Sequence, residues 1–590
     1  MVESIPPGPG PVLATFLDPN GLNQWNADAA AKIYRTLKPG EMRLLRLHHG
    51  TGRLRCSLLI TSDDPPPEYE ALSYVWGSHT DLKRIYLNDR RYFATSNLFD
   101  ALQRLRSRDK DRILWIDALV INQSDLNERT TEVTKMSAIF SRAVRTLVWL
   151  GGGNNKIEKD MRALGYLNVE TANLNPGPGG IGVPIHHAVR NIESVAYWNR
   201  AWVVQELMYS SEDAVLLLYG SSSLLWGHFV KIVDKGILNI DLSLSDVKFG
   251  HTKLAIRPGF GRRKWYMRLP NWIKNYCGGR ECTESRDRVF AYHGCFPPEV
   301  RNRVTIDYKM SLEEIAMNVT IAWTESERDL DFLSQIGCRE NWVSTQCIPS
   351  WIPNYFGTRT TANRLIVESP DESAGQAISS PHFRFMHNSS ILEVKGTRIG
   401  DIDAVGKPST KTKISQVEGL STFLLDQVWG SEGSIEKLGP KLKALVLTYF
   451  TREDLQCKFA DDHRVAEKVS VSYDSFENDN ELDKVERLVH FAHFVLNRKI
   501  ISFRFVPTDI FHSVQKESVS IPFGFGTSEL KVGDQVYLIL GCSVPLILRK
   551  VGEQYMVVGN TSVFGLSSGH DLENKLRENS SEAVNILELC

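Results

Sequence analysis

Residues 113–153 constrain this chain more than any other stretch. ILWIDALVI (113–121) is apolar at nearly every position rather than at alternate ones. Such a run suits a strand buried on both faces, as in a parallel sheet covered by helices. Asp125 with Glu128 three residues on fits a helix start. Val133, Met136, Phe140 and Ala143 then mark one helical face. TLVWLGGG (146–153) is a second buried strand, stopped by glycines. Strand, helix and strand in succession form a βαβ unit, so this part of the chain is α/β.

The flanking segments extend the pattern. MRLLRLHHG and LRCSLLI (54–60) are strand-like, and ALSYVWG (71–77) is a short strand ending at Gly77. IYLNDRRYFA (85–94) reads as a hairpin turning at Asn88-Asp89. Ser96 can cap a helix carrying Leu98, Leu102 and Leu105. A Gly/Pro-rich loop spans 171–187. YWNRAWVVQELMYS (197–210) then reads as a helix and AVLLLYG (214–220) as a strand. The chain divides into an extension (1–40), an α/β domain (41–225), a helical or mixed region (226–410), a mainly helical region (411–500) and a β-rich region with a polar tail (501–590).

Composition removes several classes of function. Lys plus Arg number 69 against 70 Asp plus Glu, which argues against binding nucleic acid or anionic membrane through bulk charge. No apolar run reaches the ~20 residues of a membrane span, and no basic segment followed by an apolar one opens the chain. The most apolar stretch, 536–551, is broken by Gly541 and Pro545. Nine cysteines without a CxxC pair point to reduced thiols and an intracellular, cytoplasmic protein.

Some nominal motifs fail on context. Gly177–Gly182 matches GxGxxG, but Pro176, Pro178 and Pro184 crowd it where a strand and a helix start are needed. Gly565–Gly569 matches GxSxG with too little chain after it for the partners of a hydrolase triad. Cys277, Cys282, His293 and Cys295 lack the close pairs of a structural zinc site. The basic and aromatic stretch 257–268 reads as a solvated surface or internal contact on a neutral chain.

Three polar clusters sit at strand ends or on the helix that follows. They are Ser73, Tyr74 and Trp76 beside Gly77; Asp117 with Asn122 and Gln123; and Arg200, Trp202, Gln205 and Glu206. The carboxyl ends of parallel strands line the ligand crevice of open α/β sheets. A carboxylate there among Trp side chains is a candidate general base or charge stabiliser. Spacing alone favours a plainer reading, in which Asp117 and Glu206 cap helices or pair with Arg129 and Arg200.

YEALSYVWG (69–77), LWIDALVINQSDLNERTTEVTKMSAIFSRAVRTLVWLG (114–151) and NRAWVVQEL (199–207) resemble the three signature blocks of the fungal heterokaryon incompatibility (HET) domain. Val120 stands where that family usually has Cys, which argues against a catalytic thiol there. SRDRVFAYHGC (285–295) also resembles segments that follow such domains. The resemblance implies non-self recognition and programmed cell death. It also implies a TIR-like, flavodoxin-like parallel sheet. Some TIR domains cleave NAD+ at the nicotinamide–ribose bond with a Glu in a Trp-x-x-x-Glu arrangement, which Trp202–Glu206 matches. On that reading Glu206 is catalytic, and Ser73, Tyr74, Trp76, Gly77, Asp117, Gln123, Arg200 and Trp202 bind NAD+ as substrate. No metal or resident cofactor is implied, and the loop 171–187 is a candidate lid. Self-association and allelic or non-allelic incompatibility partners are expected. The alternative is a signalling module without catalysis.

Overall fold

A computed structural model describes residues 22–78, 80–168, 182–237, 269, 280–336, 348–356, 381–388, 390–405, 499–505, 523–526, 529–542, 544–564 and 584–590. A helix α1 (Leu22–Ile33) precedes strands β1 (Glu41–Leu47), β2 (Arg55–Ser62), β3 (Glu70–Tyr74), β4 (Leu82–Leu87) and β5 (Arg90–Thr95). Then come α2 (Ser96–Leu105), β6 (Arg112–Trp115), α3 (Asp117–Val120), α4 (Leu126–Arg142), β7 (Arg145–Trp149), α5 (Asn155–Tyr166) and α6 (Gly182–Glu193). α7 (Val203–Met208), β8 (Val215–Tyr219) and β9 (Ser222–Leu225) follow.

These strands form one sheet in the order β5-β4-β2-β1-β6-β3-β7-β8-β9. Its centre, β6-β3-β7-β8, is parallel. Its flanks bring antiparallel pairs, β1 with β2 and β6, β4 with β5, and β8 with β9. The sheet is therefore mixed, where the sequence predicts a parallel one. Connection length explains this. A tight turn joins only antiparallel neighbours, whereas parallel strands need a crossover. At the β4–β5 turn, Asn88 and Asp89 both have positive φ (49° and 60°), as the predicted hairpin requires.

Helices pack beside the strands. α2 buries Leu98, Ala101, Leu102 and Leu105, with Thr95 rather than Ser96 as its cap. α4 starts at Asp125, whose carboxylate accepts from the N–H groups of Asn127 and Glu128. It buries Val133, Met136, Ile139 and Phe140. The Glu128 carboxylate does not return to the cap. It meets Arg43 Nη1 at 2.6 Å, forming a buried ion pair between α4 and β1.

Three predicted elements differ. The run 113–121 is not one strand. β6 ends at Trp115, and Asp117–Val120 form a helical turn. Leu119, Val120 and Ile121 are buried all the same, and a buried turn has the same continuous apolar signature as a buried strand. The predicted helix 197–210 is broken. A 3-10 turn spans Ala196–Asn199, Arg200 is extended, and α7 begins at Val203. The break lets Arg200 pair with Glu281 in an isolated parallel bridge. Of the predicted loop 171–187, α6 takes residues 182–187, and 171–181 lie outside the described residues.

Downstream, β10 (Phe383–Met386), β11 (Ile391–Val405), β12 (Lys499–Phe505), β13 (Phe523–Gly526), β14 (Gln535–Ile539), β15 (Leu546–Val551), β16 (Gln554–Phe564) and β17 (Asn585–Leu589) form a second sheet. Pairing runs β11-β12-β13-β16-β15-β14 and returns from β14 to β11, closing six strands on themselves. Ile399, Ile402, Leu530, Val536, Ile547 and Val558 cluster as one small core. The basic stretch 257–268, the GxSxG match and residues 411–498 of the helical region 411–500 fall outside the described residues, while 499 and 500 open strand β12 rather than ending a helix.

Candidate active site

β3 delivers Ser73 and Tyr74 to the carboxyl end of the parallel centre, and α7 lays Glu206 against them. The Ser73 hydroxyl donates to Glu206 Oε2 and lies 2.7 Å from the Tyr197 hydroxyl. Arg200 Nη1 donates to the Tyr74 carbonyl and stands 3.7 Å from Glu206 Oε1. Asp117 receives the Trp76 indole N–H at 2.8 Å, the Ala118 N–H at 2.7 Å and the Tyr74 hydroxyl. The Asp117 carbonyl accepts from Gln123 Nε2 at 3.0 Å. The structure thus joins Ser73, Tyr74, Trp76, Asp117, Gln123, Arg200 and Glu206 in one network. Two predicted residues stand apart from it. The Trp202 indole N–H goes to Asp287 Oδ2 at 3.0 Å, and Gly77 (φ +82°) packs against Asn97 instead.

The electrostatics follow from enclosure. Glu206 is only 2% exposed. Burial pushes its carboxyl from 4.5 up to about 7, against the pull of Arg200 and the Ser73 hydrogen bond, while Asp117 adds to the rise. Burial also raises Asp117, opposed by Arg200 and Trp76. For Arg200 burial works against the charge, but Glu206 and Asp117 outweigh it and hold the guanidinium above its ordinary value. The plainer sequence reading is thus met for Glu206, which faces Arg200. Arg129 instead faces Asp287, at 3.8 Å.

Sequence reasoning missed Tyr197 and the cover over α7. Tyr197 lies just before the third block, where a hydroxyl partner for Ser73 leaves no local signal. The cover comes from residues 280–310. The Arg280 guanidinium donates to the Trp198 carbonyl at 2.6 Å, and the Ala201 N–H donates to the Glu281 carbonyl at 3.0 Å. Gln205 Oε1 accepts from the Gly294 N–H at 2.9 Å. Asp287 is buried and also accepts from the Tyr308 hydroxyl at 2.7 Å, while Arg129 stacks 3.8 Å above the Tyr308 ring. The SRDRVFAYHGC block that supplies Asp287 and Gly294 was visible in the sequence, but its contact with α7 was not. Asp287→Asn keeps one acceptor and loses the attraction to Arg129. It should cost about 1–3 kcal/mol, read as faster hydrogen exchange across 203–208.

No group of three His, Cys, Asp or Glu among the described residues could hold a metal. Cys295 is buried against Met208 sulfur, and His293 Nε2 lies 2.8 Å from the Val304 carbonyl. Cys277 lies outside the described residues. No helix among the described residues is long and apolar enough to cross a membrane.

An α/β domain with a parallel centre and a buried acid–guanidinium network at its strand ends is the class of protein that fold and site define. Residues 69–206 match the heterokaryon incompatibility protein (HET) family model, so the chain carries a HET domain there. The protein "Heterokaryon incompatibility protein 6, OR allele" of Neurospora crassa is 37% identical over 145 residues. That stretch is 22% of this chain and 21% of the relative, so the likeness spans about a fifth of the relative's length. No solved structure matches the chain.

Proposed function

We propose that this chain acts in fungal non-self recognition, as an incompatibility protein whose response ends in cell death, and that its HET domain cleaves NAD+ at the nicotinamide–ribose bond. The observation that carries the chemistry is Glu206, a carboxyl held near neutrality in a polar network at the carboxyl end of a parallel strand. A TIR-like layout is supported by the strand order. Numbered along the chain, the four parallel strands run 2-1-3-4, the order that begins flavodoxin-like sheets.

In this reading, the nicotinamide–ribose bond breaks with its electron pair on nicotinamide, the ionised Glu206 stabilises the positive ribosyl centre, and water adds there and gives up a proton, as in glycoside hydrolysis. Nicotinamide is a good leaving group, so no general acid is needed. Asp117 and Gln123 hold ribose hydroxyls, Ser73, Tyr74 and Arg200 orient Glu206, Gly77 turns the chain at the strand end, and Trp76 flanks the rings, joined by Trp202 once it leaves Asp287. Access to Glu206 requires the 280–310 segment to part from α7, so the downstream chain restrains the activity. Self-association or an incompatibility partner releases it.

One observation favours a second reading, an interaction module without catalysis: Glu206 is enclosed, and its oxygens are already engaged by Ser73 and Arg200. Nicotinamide release from NAD+ separates the two. The full chain and its Asp287→Asn variant, which loosens the cover, are each measured with and without Glu206→Gln. Release that falls about 10²–10⁴-fold with Glu206→Gln supports cleavage. Undiminished release removes Glu206 from the chemistry. No release from any form favours the module.

A further inference from the structure

We propose that Tyr197 is a positioning residue for Glu206: its hydroxyl aims the Ser73 proton at the carboxylate and so favours the ionised acid. On the cleavage reading, on which this role rests, the ionised Glu206 is the working form. The three side chains stand in line. The Ser73 hydroxyl donates to Glu206 Oε2, and the Tyr197 hydroxyl lies 2.7 Å from Ser73 Oγ. A hydroxyl has one proton, and an ionised carboxylate only accepts. With the Ser73 proton committed to Glu206, Tyr197 must be the donor to Ser73. Its proton has no other acceptor among the described residues. If Glu206 instead donates to Ser73, the line reverses, and the buried Tyr197 proton loses its partner at a cost. A donor behind a donor also polarises it and strengthens the bond at the charged end. Both effects favour the carboxylate.

Tyr197 suits this task. Burial and the neighbouring Glu206 hold its hydroxyl above the ordinary value, so it keeps its proton wherever Glu206 titrates. Its ring meets Trp198 edge-on at 5.0 Å, which fixes where the hydroxyl points. Other groups bear on the same line. Arg200 stands 3.7 Å from Glu206 Oε1, Asp117 on α3 adds negative charge, and Tyr74 of β3 lies close to both acids. From the cover, Arg280 acts on Tyr197, whereas Asp287 takes the Trp202 indole and His293 faces the Val304 carbonyl. On α4, Arg129 faces Asp287 and Glu132 faces Lys135. None of these hydrogen-bonds Ser73, so replacing Tyr197 leaves them in place.

The test follows the infrared band of the protonated Glu206 carboxyl against pH in the full chain, isolated by subtracting the spectrum of the matching Glu206→Gln form. It needs no NAD+, so a chain that never releases nicotinamide still answers it, and a negative answer leaves the cleavage reading standing. Tyr197→Phe removes the hydroxyl alone and should raise the midpoint by about half a unit, an about threefold fall in the ratio of ionised to protonated acid. A fluorotyrosine at position 197, whose more acidic hydroxyl donates more strongly, should lower the midpoint. In a Ser73→Ala background neither replacement should move it, because the link is gone. Opposed shifts from two ring-conserving replacements are not what loosened packing produces. Should Tyr197→Phe fail to fold, the fluorotyrosine with and without Ser73 decides alone. A midpoint that stays put or moves the other way overturns the proposal, and so does a shift that persists without Ser73.

Discussion

Arg200→Met should destabilise the N-terminal α/β unit by about 3–5 kcal/mol, the usual result of breaking a buried charge pair from one side. Met keeps the apolar stem but lacks the guanidinium head, so a small void adds to the electrostatic loss. Arg200 is the one cation that pulls on both Glu206 and Asp117, and it also donates to the Tyr74 carbonyl. Without it two buried carboxyls lose their counter-charge and one carbonyl loses its donor. Both acids should then stay protonated to higher pH. Urea unfolding followed by tryptophan fluorescence, with Trp76, Trp115, Trp149 and Trp198 as reporters, gives the size. A change below about 1 kcal/mol would mean that water already reaches the site and screens the charges.

The second large effect is a pH slope. The folded Glu206 carboxyl titrates near 7 and the unfolded one near its ordinary 4.5. Between these values the folded chain holds a proton that the unfolded chain has released, so stability falls as pH rises. This contribution is fully present below about 4.5 and lost as pH passes 7, amounting to about 3 kcal/mol. Asp117 and Asp287, also raised by burial, add slopes of the same sign. Glu206→Gln cannot titrate, so its unfolding free energy should lack about 3 kcal/mol of the wild-type fall between pH 4.5 and 7. Parallel curves for the two proteins would place the Glu206 titration outside this window and remove the basis for its role near neutrality.

The two predictions act on a site that was half legible before the structure. The three blocks named Ser73, Tyr74, Trp76, Asp117, Gln123, Arg200 and Glu206, because strand-end polar residues are conspicuous beside apolar runs. The partnership of Ser73 with Tyr197 and that of Trp202 with Asp287 were not legible. These pairs are separated by 124 and 85 residues, and no local pattern encodes which distant side chain arrives.

Periodicity and caps are written in single elements, so the helix after Asp125, the hairpin at Asn88-Asp89 and the strand at 146–149 follow from local residues. The α/β class follows too, because alternating strand and helix signals leave few other ways to bury both. Tertiary structure decided the rest. The run 113–121 ends in a helical turn, and the helix around 197–210 opens at Arg200, because each break seats a charged side chain in the buried network. It also decided that Glu206 titrates near 7. A carboxyl's proton affinity depends on how much water and which charges surround it, and those are set only when elements distant in sequence pack together.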